Sequence, residues 1–387
     1  MQQTEIEIDT MKKEGQPLRA ERNSSIELYR IITMLLIVAH HYVVNSGLAA
    51  ADGPIYASPL SFHSVFLLEL GAWGKTGINC FVLITGYFMC ESHISAKKFS
   101  KLLLERTFYK IVIYCIFWVS GYAVFNLSGL AEILLPVRTI GTGFTSAYLL
   151  FFLFIPFLNV LVHNLTEKQH VYLLLLCGFI YVFLGTFRPV FSVTMNYVSW
   201  FIVLYVISSY IRLYPKQIFN NTTVWGWLTV ISMSLSFISV IVCAWLGQRI
   251  GKNMAYAFVT DANTLLAIIN GVSSFLLFKN LKIKQNKWIN RIAASTFGVL
   301  CIHANSDTMR QWLWKDTFDC VGHYTQPFYA VGAVILIFAV CTVIDMLRIR
   351  YIETPFFSLW DAKWGKVVKW YQKKEYKIMR KMDIQND

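Results

Sequence analysis

Residues 26–46 read IELYRIITMLLIVAHHYVVNS. The run is apolar enough and long enough to cross the roughly 30 Å of a bilayer core as one helix. It nevertheless carries Glu27 and Arg30 near one end and His40 and His41 near the other. Ionisable groups at bilayer depth cost a few kcal/mol each on insertion scales, so each needs a reason to be there. Arg30 and His41 are separated by ten residues. At about 100° and 1.5 Å per residue, that spacing returns to within about 20° of the starting direction and climbs about 16 Å. The guanidinium and the imidazole therefore share one face of one helix at two depths. His40 lies about 100° away and points elsewhere. Glu27 stands three residues before Arg30, a spacing at which the two can pair.

Working outward, the whole chain fits a membrane. Of 387 residues, 56% are hydrophobic and only 15% charged, against about 25% charged in soluble domains; the mean hydropathy is +0.50. The net charge of +13 is carried between apolar runs, where topology explains it, so nucleic acid is not an expected partner. Residues 1–25 are polar and the first apolar run is too long and too charged for a cleaved signal peptide, so it is expected to stay as a membrane helix. The eight cysteines show no C-x-x-C spacing. They read as packing residues, with no disulfide framework and no metal site.

Ten apolar runs of spanning length follow one another, at about 26–46, 62–90, 107–127, 145–162, 170–187, 196–214, 222–246, 256–278, 292–311 and 325–347. Gly71, Gly74, Lys75 and Gly77 interrupt the second, which suggests a short entering helix followed by a span from 76. If alternate connections are cytoplasmic, they hold 26 Lys and Arg against 7 on the opposite side. The positive-inside rule then puts both termini in the cytoplasm. The expected fold is all-α: a polytopic membrane protein of about ten transmembrane helices. Residues 1–25 form a cytoplasmic segment, 26–347 the membrane domain and 348–387 a basic cytoplasmic tail. The tail can lie on anionic lipid headgroups, although a topology anchor is the simpler reading.

Other polar groups enter the spans. Asn79, Thr85 and Tyr87 lie in a segment rich in small residues, where close helix contact is the plain structural explanation. Arg106 and Lys110, four apart at the start of the third span, form a cationic face suited to phosphate groups. His303 sits about 18 Å up from Arg291 by helix rise, a depth similar to that of His41. Histidine titrates near neutrality and is the usual general base.

These residues together resemble a known family, the integral-membrane acyltransferases of the acyltransferase-three superfamily. The resemblance rests on Arg30-(ten residues)-His41 with Glu27 in place of the usual aspartate, on GINCFVLITGYF at 77–88 and on ASTFGVLCIHAN at 294–305. SAYLLFFLFIPFL at 146–158 is a weaker echo. The wording most resembles the single-domain enzymes that O-acetylate polysaccharide antigens. The resemblance implies that His41 and Arg30 are essential, with Glu27 beside Arg30. It implies an acetyl-CoA donor entering from the cytoplasm and held at Arg106, Lys110 and Arg30. Here Lys110 replaces the second arginine of the family's pair. Acceptor contacts are expected from His303, Asn79, Thr85 and Tyr87.

The expectation is a membrane O-acyltransferase of a bacterial cytoplasmic membrane, moving an acetyl group to a hydroxyl of a surface polysaccharide or lipid-linked glycan. His41 acts as general base or carries the acyl group transiently; the residues alone do not separate the two. A transporter or flippase of a lipid-linked sugar is the alternative, but paired repeats or matched broken helices are not evident. A scaffold protein would leave Arg30 and His41 without a task.

Overall fold

In a computed structural model, the protein is described over residues 22–92, 94–135, 143–187, 196–259 and 261–363. Residues 1–21 and most of the basic tail lie outside that range. Among the described residues the chain is helical, with no strand. Among those residues, six helices are long and apolar enough to cross a membrane, which makes this a multi-pass membrane protein.

The first helix, α1 (Ser24–Val44), starts where Asn23 accepts the Ser25 amide hydrogen bond, with Glu27 in the first turn. A capping side chain satisfies an otherwise orphaned amide, and an acid there complements the helix dipole. Helix α2 (Phe62–Gly71) and helix α3 (Gly74–Met89) then return antiparallel to α1. The small residues of this hairpin let backbones meet. A Cβ on Gly77 would stand 2.8 Å from Ile37, and one on Gly74 only 2.1 Å from Cγ of His40. Farther along, the Tyr29 hydroxyl donates to Cys80 Sγ at 2.7 Å. The break between α2 and α3 falls at Ala72–Trp73, inside the glycine-marked interruption of the second apolar run.

Six of the ten runs coincide with the six spanning helices: Ser24–Val44, Phe62–Met89, Phe144–Asn164, Glu167–Thr186, Thr222–Ile250 and Pro327–Lys363. Two more, Tyr197–Leu213 and Leu265–Asn280, are apolar but shorter. The remaining two depart for physical reasons. The run at 107–127 belongs to α4 (Ala96–Val119), whose first half carries Lys97, Lys98, Lys101, Glu105 and Arg106. The run at 292–311 is split into α5 (Lys287–Ala294) and α6 (Thr296–His303), followed by the short helix Asp307–Arg310. Eight residues of helix rise only about 12 Å. All eight of α6 are buried, and a broken helix is tolerated at membrane depth where protein, not lipid, surrounds it.

Burial orders the bundle from centre to rim. The Phe62–Met89 window is 72% buried, whereas that of Glu167–Thr186 is 17% buried. The latter turns Leu175, Leu176, Phe179 and Phe183 outward, as a lipid-facing helix does. α1, α3 and α6 are inner elements.

A charged cluster ties α4 to α7 (Pro327–Arg348) and the turn that follows it. Arg348 bridges Glu105 at 3.0 Å, Asp345 at 2.8 Å and Glu353 at 2.8 Å, and all four are less than 10% exposed. Lys101 reaches Glu353 at 2.5 Å, and the Tyr109 hydroxyl donates to Asp345 at 2.8 Å.

Candidate active site

The C-terminal end of α1, the start of α3, the middle of α4 and the end of α6 enclose a cavity of about 480 Å³. His40 and His41 line it together with Lys75, Arg106, Lys110 and Arg310. Glu132 and Asp307 are the carboxylates in the wall among the described residues. Of the four cations, only Arg310 has a carboxylate partner among the described residues, the exposed Asp307 at 2.6 Å.

The hydrogen bonds around His41 define its chemistry. Nδ1 of His303 lies 2.6 Å from the Val299 carbonyl. A carbonyl oxygen only accepts, so this nitrogen carries the proton. In the neutral ring, Nε2 of His303 is then an acceptor. It lies 2.9 Å from Nδ1 of His41, which must donate to it. The remaining nitrogen of neutral His41, Nε2, is left with a lone pair. Position 299 thus sets the tautomer of a histidine more than 250 residues away, through one intervening ring. Trp314 meets the His303 ring edge-on at 6.4 Å and holds it against α1. A neutral imidazole with one nitrogen unengaged has the chemistry of a general base or nucleophile, and a second histidine orients this one.

His40 departs from the sequence expectation. Its Nδ1 donates to the Gly71 carbonyl at 2.6 Å, yet the ring still lines the cavity beside His41, with ring centroids 5.8 Å apart. The cavity wraps around the helix end over an arc wider than the 100° that separates neighbouring residues. His40 is therefore a wall residue, not one turned away.

The expected donor-side group is divided by the fold. Arg106 and Lys110 come to the His41 cavity; Arg30 does not line it. Arg106, 1% exposed, donates to the carbonyls of Ile133 at 3.1 Å and Glu132 at 3.5 Å and to the Ser146 hydroxyl at 3.2 Å. Lys110 donates to the Asn305 carbonyl. Arg30 lies lower on α1, close enough to Tyr148 to interact with it electrostatically. No ion pair joins Arg30 to Glu27 among the described residues. Arg30 Nε and Glu27 Oε2 are both buried without hydrogen-bond partners there. The pairing expected from the three-residue spacing is absent.

Three further candidates stand away from the cavity. Asn79, wholly buried, donates to the carbonyls of Ala262 at 2.7 Å and Ala267 at 3.1 Å and accepts from Trp200 Nε1 at 2.8 Å. Its polar capacity is spent on joining α3 to its neighbours. The Thr85 hydroxyl donates to the Phe81 carbonyl at 3.0 Å, which leaves its oxygen to accept from Tyr148 at 2.9 Å. Tyr87 accepts from Arg212 at 3.2 Å at the far end of α3. All three act in helix packing, as small polar residues in membrane helices commonly do.

Lys75, read from the sequence only as a break in the second apolar run, and Arg310 were not expected at the site. Lys75 donates to the Tyr197 hydroxyl at 3.0 Å, and both residues face the cavity. The available signal was their location, because they fall in the connections that hold only 7 basic residues in the alternate count. No group of three or more His, Cys, Asp or Glu arranged to hold a metal occurs among the described residues.

No curated protein and no solved structure matches the chain. The family profile for an acyltransferase domain, acyltransferase 3, matches residues 23–346, an interval that contains α1, α6 and every cavity residue named above. The chain belongs to this family of acyltransferases.

Proposed function

We propose that the protein is an O-acyltransferase of a bacterial cytoplasmic membrane. In this reading it moves an acetyl group from acetyl-CoA to a hydroxyl of a surface polysaccharide or of its lipid-linked precursor, with His41 as general base. The observation that carries this reading is the hydrogen-bonded line from the Val299 carbonyl through His303 to His41, which leaves His41 Nε2 free to accept a proton. Family membership supports the acyl-transfer class. Arg106 and Lys110 in the cavity wall suit a donor that carries phosphates.

In this mechanism His41 Nε2 takes the proton of the acceptor hydroxyl as that oxygen attacks the thioester carbonyl. The new C–O bond forms, the C–S bond breaks, and the proton passes from His41 to the departing thiolate. His303 is a positioning residue that keeps the imidazole in the reactive tautomer. Arg106 and Lys110 supply positive potential on the donor side, and their bonds to the Ile133, Glu132 and Asn305 carbonyls hold that wall in place.

Losing a general base typically costs about 10² to 10⁴ in rate. With purified protein in nanodiscs and radiolabelled acetyl-CoA, His41→Ala is expected to lower acetyl transfer by that factor while the protein remains monodisperse. Transfer at the wild-type rate would remove His41 from the chemistry. A labelled acetyl-protein trapped by acid quench, and absent in His41→Ala, would make His41 an acyl carrier.

A further inference from the structure

Lys75 and Arg310 line the same cavity as His41, and Lys75 directly follows Gly74, which packs against the His40 ring. Arg106 and Lys110 are more deeply committed to backbone carbonyls of the wall. Among the described residues, Lys75 is anchored only by a neutral partner, the Tyr197 hydroxyl and ring. Arg310 shares its charge with Asp307, which is 96% exposed to solvent, and its Nε is buried with no hydrogen-bond partner among the described residues. Two cations thus share the cavity with the base, and the single acidic partner between them among the described residues, Asp307, is turned to solvent. Both are only partly buried, the Arg310 side chain being 38% exposed, so each can reach an anion in the cavity and meet it with charge-assisted hydrogen bonds.

The geometry points to an acceptor that is itself an anion, bearing a carboxylate or a phosphate that binds between Lys75 and Arg310 beside the hydroxyl to be acylated. This rests on the acyltransferase reading above and specifies its acceptor. The phosphates of the donor are poor candidates for this position. The reacting thioester must lie at His41, and the whole pantetheine arm separates it from the nearest phosphate. Cations adjacent to the base therefore meet the other substrate. A charge-assisted contact there fixes which hydroxyl of the sugar is presented to Nε2, so it contributes to regioselectivity as well as to affinity.

The test uses membranes from cells that lack the gene, supplied with the purified full-length protein and radiolabelled acetyl-CoA, with products separated on an anion exchanger. Label is expected in the retained, acidic fraction. Phosphatase treatment of that fraction identifies a phosphate, and carbodiimide amidation identifies a carboxylate. Lys75→Gln and Arg310→Gln are expected to raise the acceptor KM by about tenfold or more, well beyond any change in the donor KM. Lys75→Arg is expected to restore most of the loss. Label confined to the unretained, neutral fraction overturns the anionic acceptor while leaving the acyltransferase reading intact, as does an equal rise in both KM values. Absence of any labelled product overturns the acyltransferase reading itself, and this inference with it.

Discussion

Two groups of charged side chains lie within the helical body, and they are built on opposite plans. In the cluster around Arg348, every charge has an opposite charge within 3.0 Å, and three acids face two bases. Among the described residues of the cavity around His41, four cations share two carboxylates, and three of those cations have no acidic partner. The first arrangement is complete without a ligand and fastens α4 to α7. The second is incomplete, and its deficit is of one sign. Intramembrane charge by itself does not separate scaffold from site in this protein. The balance of the charges does.

The sharpest way to break this contrast is Arg348→Ala, which leaves Glu105, Asp345 and Glu353 buried beside one another. Removing one partner of a buried ion pair costs about 3–5 kcal/mol, so a large fall in thermal midpoint in detergent is expected. Adding Glu105→Gln should recover part of it. A midpoint unchanged in Arg348→Ala would show that the cluster is not structural. His303→Ala acts on the other plan. It removes the acceptor that orients His41, and misplacing a catalytic group costs about 10² in rate. The expected signature is a fall in kcat with little change in donor KM, relieved by added imidazole. A wild-type kcat would mean that His41 needs no such support. The smallest effect is expected for Asn79→Ala, which strands the Trp200 N–H and two carbonyls at about 1–3 kcal/mol. Its acceptor KM should stay at the wild-type value. A selective rise would return Asn79 to the substrate.

The outline of the fold was readable in the sequence because hydrophobic length and glycine position are local signals. The first span and the break near Gly71–Gly74 appear as expected, whereas Arg30 does not join His41 at the cavity. The meeting of His41 with His303 was anticipated only as a similarity of depth, and the bond itself needed the helix packing. The limits are equally physical. Asn79, Thr85 and Tyr87 look like ligand-binding groups because polar atoms in a membrane helix demand partners, and sequence does not say whether those partners are protein or substrate. Here they are protein. Lys75 and Arg310 are separated by most of the chain, as are Glu105 and Arg348, and no pattern of local spacing links such pairs. The α6 segment read as part of a full span because its composition is apolar, although its burial comes from surrounding helices.

The contact of Gly74 with His40 leaves room for a hydrogen and nothing larger. The mouth of the cavity is therefore dimensioned partly by an absent methyl group. Any side chain at position 74 would push the His40 ring, and with it the turn of α1 that carries His41. The His41 ring is gauged from both sides, by a tautomer relay on one and by a steric stop on the other. Drift at a residue that performs no chemistry would be felt as a change in aim.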